Sequence, residues 1–285
     1  EQAGLIRQRQ NGDGFYDYFR DRIIIPIHDI QGRVIGFGAR TLTNEQPKYL
    51  NSPETELFNK GKTLYALDKA RHGISQQDRG VVVEGYFDAI ALHAAGITNA
   101  VASLGTALSL DQVRQLLRYT DSKQLILNFD ADAAGTNAAS RAIGEIADLA
   151  YKGEVQLKVV NLPDGKDADE FLNSSSDSAE QYRQLLATAP LWVDWQIQQI
   201  IKNRNLKQAN DYQQVVQQMA KLFAQISNIE TRTYYIRQGA EILSQGESRL
   251  TSNQAESLLA QIQRLQRRES IGVVKTFPAR SFKPR

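Results

Sequence analysis

The sequence contains no cysteine and only three histidines among its 285 residues. The absence of cysteine excludes a disulfide scaffold, a thiolate zinc site and a cysteine nucleophile. His28, His72 and His93 lack the partner spacing of a metal site or a proton relay, so we interpret them as non-catalytic. No apolar run approaches the length of a membrane span and no signal peptide opens the chain, which predicts a cytoplasmic protein that contacts no membrane.

Charge is distributed unevenly, although the net charge is only +2. Residues 76–175 have 14 acidic and 8 basic side chains, whereas residues 176–285 have 9 acidic and 15 basic ones. An acidic centre would suit a nucleic-acid enzyme if cations filled it while the basic flanks held phosphates. Chance grouping on a solvated surface is the alternative, and charge alone favours that alternative.

Residues 78–175 alternate between strand and helix patterns. Strands are predicted near 80–84, 98–103, 123–129 and 154–160, and helices near 86–96, 109–120 and 134–151. This order predicts a parallel sheet with right-handed crossovers, and hence an α/β fold. Ser109 with Gln112 forms a capping-box pattern at the start of the second helix.

The flanking segments have different patterns. Two apolar runs around the turn Asp29-Ile30-Gln31-Gly32 predict a β-hairpin within residues 1–77. Residues 178–268 look wholly helical, with an apolar face formed by Ala255, Leu258, Leu259, Ile262 and Leu265. The periodicity stops near residue 269, which predicts a tail or linker over 269–285. Trp192 and Trp195 fall in a predicted helix and are expected to be core residues.

Carboxylates follow three of the apolar runs directly. Val81-Val82-Val83 is followed by Glu84 and Asp88, Leu127-Asn128-Phe129 by Asp130 and Asp132, and the run from Leu157 to Leu162 by Asp167 and Asp169. The carboxyl ends of parallel strands meet at one edge of a sheet, so we expect these acids to converge. Oxygen ligands without histidine or cysteine favour Mg²⁺ or Mn²⁺. The sequence therefore predicts a phosphate-chemistry enzyme built around divalent metal.

The same acids sit in recognisable sequence motifs. Glu84-Gly85-Tyr86-x-Asp88, Asp130-x-Asp132-x-Ala134-Gly135 and Asp167-x-Asp169 resemble the three signature elements of a Toprim domain. The surrounding segments resemble bacterial DnaG-type primases, in the same order and spacing from about residue 15 to 172. They are Phe19-Arg20-Asp21-Arg22, Ile35-Gly36-Phe37-Gly38-Ala39-Arg40, Pro47-Lys48-Tyr49-Leu50-Asn51-Ser52-Pro53-Glu54-Thr55 and Ala102-Ser103-Leu104-Gly105-Thr106. The helical region resembles the family more loosely.

Three alanines depart from the usual family motifs. Ala39 and Ala131 stand where glycine is common, and Ala168 stands where proline is common. An alanine in place of glycine requires a negative φ at that position. None of the three changes removes a chemical group, so the resemblance still implies activity.

The resemblance implies a Toprim-type parallel sheet flanked by helices, an N-terminal mixed α+β subdomain and a C-terminal helical subdomain. The expected boundaries are 1–77 for an incomplete N-terminal subdomain with a basic template ridge, 78–175 for the Toprim catalytic domain and 176–268 for the helical subdomain. The implied activity is DNA primase: synthesis of short RNA primers on a DNA template from ribonucleoside triphosphates, by two-metal nucleotidyl transfer during replication.

Site residues follow from the same motifs. Glu84, Asp130 and Asp132 are the expected catalytic residues. The expected ligands of Mg²⁺ or Mn²⁺ are Glu84, Asp88, Asp130, Asp132, Asp167 and Asp169, with Asp130, Asp132 and Asp169 as the principal ones. The expected template- and nucleotide-binding residues are Arg20, Arg22, Arg40, Lys48, Tyr49, Asn51 and Lys60.

Several partners are implied as well. They are single-stranded DNA template, ribonucleoside triphosphates and the RNA primer product, with the enzyme acting as a monomer at the replication fork. The chain opens at Glu1 rather than methionine, so we expect a piece of a longer protein. The family's zinc-binding domain and its domain for the replicative helicase are both expected to lie outside this chain.

Each assignment has a simpler alternative. A single aspartate after a strand is usually a helix N-cap, and Lys48, Tyr49, Asn51, Arg40 and Lys60 could belong to a polar surface loop. Arg20 and Arg22 could instead pair with Asp17 and Asp21. Two other interpretations compete at the level of the whole protein. One is another Toprim enzyme, such as a topoisomerase or nuclease, and the other is a non-enzymatic module that docks a partner.

Overall fold

A computed structural model describes residues 3–9, 12–44, 46–105, 108–129, 143–144 and 146–274. The chain divides into two compact units. The first comprises the described residues up to 150 together with 154–192, and the second comprises 151–153 together with the described residues from 193 onward.

Antiparallel strands open the first unit. β1 (Ile6–Gln8) and β2 (Phe15–Asp17) form a short hairpin, and β3 (Arg22–His28), β4 (Val34–Thr41) and β5 (Tyr49–Asn51) form a three-stranded sheet in that order. The predicted turn between β3 and β4 is confirmed. Asp29 Oδ1 accepts the backbone N–H groups of Gln31 and Arg33, each at 2.9 Å, so one side chain fixes the whole turn.

A four-stranded parallel sheet follows. Its strands, in chain order, are β6 (Arg79–Val83), β7 (Ala100–Ala102), β8 (Gln124–Phe129) and β9 (Gln156–Asn161). Their spatial order is β7-β6-β8-β9, and every pair is parallel. Among the described residues, the helices of this unit are α1 (Leu67–Gln77), α2 (Tyr86–Ala94), α3 (Leu110–Leu116), α4 (Ile146–Lys152, whose last two residues belong to the second unit), α5 (Ala168–Leu172) and α6 (Ser178–Thr188). The predicted helix over 134–151 lies partly outside the described residues. The predicted α/β class is confirmed.

The three-stranded and the four-stranded sheet of the first unit share one hydrophobic core. Ile25 and Ile27 of β3 and Phe58 pack in the same cluster as Val81 and Val83 of β6. Tyr65 pairs antiparallel with Ala102, so the chain before α1 extends the edge of the parallel sheet beyond β7. The apolar runs that predicted buried strands are therefore covered partly by the N-terminal segment.

The predicted capping box of α3 is confirmed. Ser109 Oγ accepts the Gln112 N–H at 3.1 Å, and Gln112 Oε1 accepts the Ser109 N–H at 2.9 Å. The Gln112 amide also donates to the carbonyls of Lys60 and Thr63, at 2.9 and 2.7 Å, which holds the loop before α1 against α3.

The second unit is helical among its described residues from 193 onward. The helical pattern predicted for 178–268 begins earlier, because α6 lies in the first unit. Its helices are α7 (Trp192–Ile201, of which Trp192 belongs to the first unit), α8 (Ala209–Gln225), α9 (Ile229–Leu243) and α10 (Ser248–Val274). Trp192 and Trp195 are buried, as expected of core residues. Across the described residues, none of the helices is long and apolar enough to span a membrane.

Two expectations for α10 are wrong. Leu258 and Ile262 are buried, but Leu259 is 44% exposed, so the buried face of α10 is narrower than the predicted apolar face. The helix also runs to Val274, past residue 269 where the tail was predicted to begin.

Candidate active site

A cavity of about 480 Å³ lies at the carboxyl edge of the parallel sheet. Glu84 follows β6, Asp88 lies in α2, and Asp167 and Asp169 lie at the start of α5, so two chain segments bring carboxylates to one cavity. The wall is completed by residues from the N-terminal sheet and from the segments between strands and helices. They are Arg40, Lys48, Tyr49, Asn51, Val83, Gly85, Tyr86, Phe87, Leu104, Gly105, Asn128, Ala168 and Glu170.

Asp88 is the most buried of these acids. Its Oδ2 accepts the N–H of Gly85, the N-cap of α2, at 3.1 Å, and its Oδ1 accepts the N–H of Asp169 at 3.2 Å. Burial raises the pKa of Asp88 to about 6; the hydrogen bond from Asp169 opposes this rise, and the nearby charge of Asp167 adds to it. This carboxylate therefore ties the first acidic motif to the third.

Asp167 and Asp169 occupy the first turn of α5. Asp167 is the N-cap, with Oδ1 accepting the Glu170 N–H at 2.7 Å. Asp169 Oδ1 accepts a hydrogen bond from the Asn173 amide at 2.9 Å. Ala168 is at the first helical position, where proline is favoured, so the alanine found here sits in a conformation that both residues tolerate. Ala39 is buried in β4 and is likewise outside the left-handed region.

Aromatic rings and cations line the same cavity as the carboxylates. The Arg40 guanidinium lies 4.9 Å from the centroid of the Phe87 ring and 5.8 Å from that of Tyr49. The Lys48 ammonium lies 5.5 Å from the Tyr49 ring. The cavity thus combines an acidic edge with a basic and aromatic wall, an arrangement that suits phosphates and bases.

Tyr86 and Asn51 link the wall to the acidic edge, and the sequence motifs alone predicted no role for Tyr86. The Tyr86 hydroxyl donates to Asn51 Oδ1, and the Asn51 amide donates to the Leu104 carbonyl at 3.3 Å. Burial raises the pKa of Tyr86 to about 12, so the phenol stays protonated as a donor. The position of Tyr86 inside the Glu-Gly-Tyr motif could have predicted that it belongs to the site.

Asn128 forms part of the cavity lining and was also missed. The buried Tyr182 hydroxyl donates to Asn128 Oδ1 at 2.7 Å, and burial raises the pKa of Tyr182 far above its ordinary value. The amide is thereby held in one orientation next to the strand end. Asn128 is a polar residue in an otherwise apolar stretch of β8, and this could have predicted its role in the site.

Other expected site residues lie elsewhere. Arg20, Arg22 and Lys60 are not among the residues that line the cavity. Arg22 donates to the carbonyls of Pro47 and Lys48, at 2.8 and 3.5 Å, and so supports the segment that leads to Tyr49. Asp130 and Asp132 lie outside the described residues.

The described acids do not form a complete metal centre by themselves. Within the described ranges, no group of three or more histidine, aspartate or glutamate side chains lies close enough together to hold an ion. The donor set is nevertheless all oxygen and converges on one cavity, which fits a hard divalent cation once further acids join it.

Comparison with known proteins identifies the fold and family. The family model for "Toprim-like" domains matches residues 81–172, which contain the parallel sheet and its acidic edge, so this region is a Toprim domain, a metal-binding fold. The model "DNA primase catalytic core, N-terminal domain" matches residues 1–71, and "DnaB-helicase binding domain of primase" matches 193–248.

Three relatives illustrate the similarity. The DNA primase of Synechococcus elongatus is 62% identical, over 92% of this chain and 38% of that protein. A DNA primase domain from Pseudomonas aeruginosa superimposes with a TM-score of 0.72 at 32% identity, over 90% of this chain and 78% of that one. A DnaG primase catalytic domain bound to single-stranded DNA superimposes with a TM-score of 0.69 at 34% identity, over 86% of this chain and 74% of that one.

These matches define a Toprim-containing catalytic core. The chain belongs to the DnaG-type DNA primase family. It spans about two fifths of the length of the curated relatives that it matches. The helicase-binding domain was expected to lie outside this chain, and that expectation is corrected. The family model for this domain matches residues 193–248, which belong to the helical unit.

Proposed function

We propose that this chain is the catalytic core of a DNA primase, which synthesises short RNA primers on single-stranded DNA from ribonucleoside triphosphates. The observation that supports this best is the shared cavity, whose lining combines five carboxylates with Arg40, Lys48 and Tyr49. Chemistry that joins a hydroxyl to an α-phosphate needs both a cation-binding edge and a surface for phosphates and bases.

The acidic edge would hold Mg²⁺ or Mn²⁺. Asp130, Asp132 and Asp169 are the proposed principal ligands, with Glu84 as a ligand or acid–base group and Asp88 and Asp167 in support. Two bound cations would lower the pKa of the attacking hydroxyl and neutralise the leaving pyrophosphate. The protein's own contribution is positional: Asn173 orients the Asp169 carboxylate, and Asp88 fixes the backbone at Asp169.

The basic and aromatic wall would hold the nucleic acid. Tyr49 is 44% exposed and has Arg40 and Lys48 near its ring, so a base could stack there while the cations meet phosphates. Arg22 and Lys60 would act beside the cavity, Arg22 through the carbonyls that it holds.

Further partners belong to the same proposal. Residues 193–248 would contact the replicative helicase, as the family model for that segment suggests. Zinc would bind only to a segment beyond this chain, since the chain has no cysteine. We propose that the core acts as a monomer at the replication fork.

The test is incorporation of ribonucleotides on single-stranded template with Mg²⁺. RNA products that depend on template, triphosphates and metal support the proposal. Strand cleavage or relaxation without synthesis would indicate another Toprim enzyme. Absence of any metal-dependent reaction, with template binding retained, would favour a non-enzymatic module.

A further inference from the structure

Asn128 is a buried polar side chain at the carboxyl end of β8. It projects from the same face of the sheet as Ile126, because residues two positions apart in a strand share a face. Ile126 packs in the core cluster that also contains Tyr182 of α6 and Phe171 of α5. A polar group on an apolar face costs stability unless it is hydrogen-bonded, so packing alone does not account for an amide at position 128.

Tyr182 determines which end of this amide faces the core. The Tyr182 side chain is fully buried and is not among the residues that line the cavity, whereas Asn128 is. The Tyr182 hydroxyl donates to Asn128 Oδ1 at 2.7 Å, and the Tyr182 ring lies beside that of Phe171, with 6.2 Å between the centroids. Because Oδ1 is turned to the core, the amide nitrogen with its two N–H donors is the end directed to the cavity.

The surroundings of this donor are acidic. The charge of the Asp88 carboxylate acts on the Tyr182 hydroxyl, and Asp130 follows Asn128 by two positions in the sequence. An arginine or lysine here would repel the cations that these acids are proposed to hold. A neutral amide can donate a hydrogen bond without that repulsion. The position is therefore suited to a ligand that binds cations and also has acceptor oxygens, which describes a polyphosphate.

A nucleobase or a template strand fits this position less well. Tyr49, which offers a ring for stacking, has the cations of Arg40 and Lys48 near it, and all three belong to the N-terminal sheet or the segment that leads into it. Asn128 belongs to the parallel sheet, whose carboxyl edge bears the acids. The bases and the phosphates that bind cations therefore have separate parts of the cavity available to them.

We propose that the Asn128 amide donates a hydrogen bond to a phosphate oxygen of the bound ribonucleoside triphosphate, and that Tyr182 is a positioning residue that acts through Asn128. The choice of a ribonucleoside triphosphate as the ligand rests on the proposed function. Tyr182 is too deeply buried to touch the ligand, so its contribution is to hold the amide in the orientation in which it donates.

The experiment measures binding of ATP to the whole chain at saturating Mg²⁺, by displacement of a fluorescent ATP analogue and without template. Asn128→Leu retains the size of the side chain but removes the donors, and it should weaken ATP binding about tenfold, as expected for a lost hydrogen bond to a charged group. Tyr182→Phe should weaken binding about threefold, because the amide is then free to turn its oxygen to the cavity.

The double variant tests whether Tyr182 acts through Asn128. Asn128→Leu/Tyr182→Phe should bind ATP like Asn128→Leu alone, because no amide is left to orient. Losses that add would overturn the assignment of Tyr182 as a positioning residue. A contribution of Tyr182 to packing alone would lower the free energy of unfolding but would leave ATP affinity unchanged, and that result would overturn it too.

The matched control is Asn99→Leu, the same exchange at a buried asparagine next to β7. The Asn99 amide donates to the Arg79 carbonyl at 2.9 Å, and Asn99 is not among the residues that line the cavity. This variant should bind ATP like the unmodified chain. An equal loss in Asn99→Leu and Asn128→Leu, or no loss in Asn128→Leu, would overturn the proposal.

The dependence on Mg²⁺ separates a phosphate contact from a contact with a metal ligand. If Asn128 instead oriented a carboxylate that holds the cation, Asn128→Leu would need more Mg²⁺ but would recover full ATP affinity at saturation, which would overturn the phosphate contact. Circular dichroism checks folding. If Asn128→Leu does not fold, Tyr182→Phe decides, and ATP affinity equal to that of the unmodified chain overturns the proposal.

Primer synthesis is measured separately, and Asn128→Leu should raise the KM for ribonucleoside triphosphates more than it lowers kcat. If the unmodified chain makes no primers but Asn128→Leu is specifically impaired in ATP binding, the phosphate contact stands and the proposed function falls. If the chain makes primers while Asn128→Leu matches the control in KM and in ATP affinity, only the phosphate contact falls. If the chain neither makes primers nor binds ATP, both fall.

Discussion

Gly38 of β4 and Tyr86 of α2 approach each other so closely that a Cβ on Gly38 would lie 2.5 Å from the Tyr86 Cζ. The φ of Gly38 is not in the left-handed region, so the requirement for glycine there is one of space. The same ring bears the hydroxyl that donates to Asn51 in the cavity wall. Gly38 therefore decides where a cavity residue can sit.

We predict that Gly38→Ala lowers the free energy of unfolding by about 1–3 kcal/mol, because the added methyl group displaces a packed ring. Chemical denaturation followed by circular dichroism measures the change. Gly61→Ala is the control, since a Cβ there would meet only the Asn59 side chain at 3.4 Å. Gly38→Ala/Tyr86→Leu should recover stability relative to Gly38→Ala alone; no recovery would mean that a different neighbour of Gly38 is responsible.

We predict that Asp130→Asn and Asp169→Asn abolish primer synthesis while the fold is retained. Asparagine at 169 can keep the hydrogen bond with Asn173 but supplies no negative charge for a cation. Ribonucleotide incorporation with Mg²⁺ measures the effect, and Glu180→Gln, which alters an exposed ion pair on α6, is the control. Normal synthesis by either aspartate variant would remove that residue from the metal site.

We predict that Lys48→Ala weakens binding of single-stranded DNA and reduces its salt slope by about 0.7 for each phosphate that the lysine neutralises. Lys60→Ala should act in the same direction but less strongly, because Lys60 is outside the residues that line the cavity. Titrations at several salt concentrations measure both. A lower affinity with an unchanged slope would show that these lysines act through folding or through the bound nucleotide.

We predict a pH dependence of stability from Asp194 of α7. Burial raises the pKa of this carboxyl, although hydrogen bonds from Gln238 and Tyr235 oppose the rise. The folded chain then holds the proton on Asp194 more tightly than the unfolded chain, so protonation of Asp194 stabilises the fold. This stabilisation is complete below the unfolded pKa of about 4 and is lost as the pH rises through the higher folded pKa. The free energy of unfolding of the unmodified chain, minus that of Asp194→Asn, should therefore decrease as the pH increases through this range. Chemical denaturation at several pH values measures the difference.

Asp211 in α8 provides a control of opposite sign. The Asn205 N–H, at 3.0 Å, and the Arg204 guanidinium, at 3.2 Å, hold the pKa of Asp211 below its ordinary value. Its stabilisation is present above the unfolded pKa and is lost as the pH falls through the folded pKa. The free energy of unfolding of the unmodified chain, minus that of Asp211→Asn, should therefore increase as the pH increases. The same direction of change for both variants would show that the pH dependence does not come from Asp194 and Asp211 individually.

The strands of the parallel sheet could be predicted because apolar runs with polar boundaries are a local signal. The capping box at Ser109 and the turn at Asp29 were likewise local, since each depends on side chains within four residues. The exposure of Leu259 was not predicted, because helical spacing alone does not say how wide the buried face is.

The acidic side of the site was predicted better than its supports. Glu84, Asp88 and the two acids of α5 follow strands, so sheet topology alone placed them together. The hydrogen bonds of Tyr86 with Asn51 and of Tyr182 with Asn128 join residues 35 and 54 positions apart. Such pairs depend on tertiary packing, for which a single sequence has no periodic signal.

The pairing of Tyr65 with Ala102 has a consequence for exchanging segments between primases. Residues 1–71 and 81–172 match separate family models, yet Tyr65 covers the edge of the parallel sheet, and Phe58 packs in the core with Val81. If the Toprim segment were transplanted alone, it would lose the N-terminal segment that contains Tyr65 and Phe58. Its strand β7 would then have an open edge, and apolar side chains of its core would be uncovered. Recombination within this unit should therefore respect shared packing rather than family boundaries, and chimaeras should tolerate a junction after the unit better than one within it.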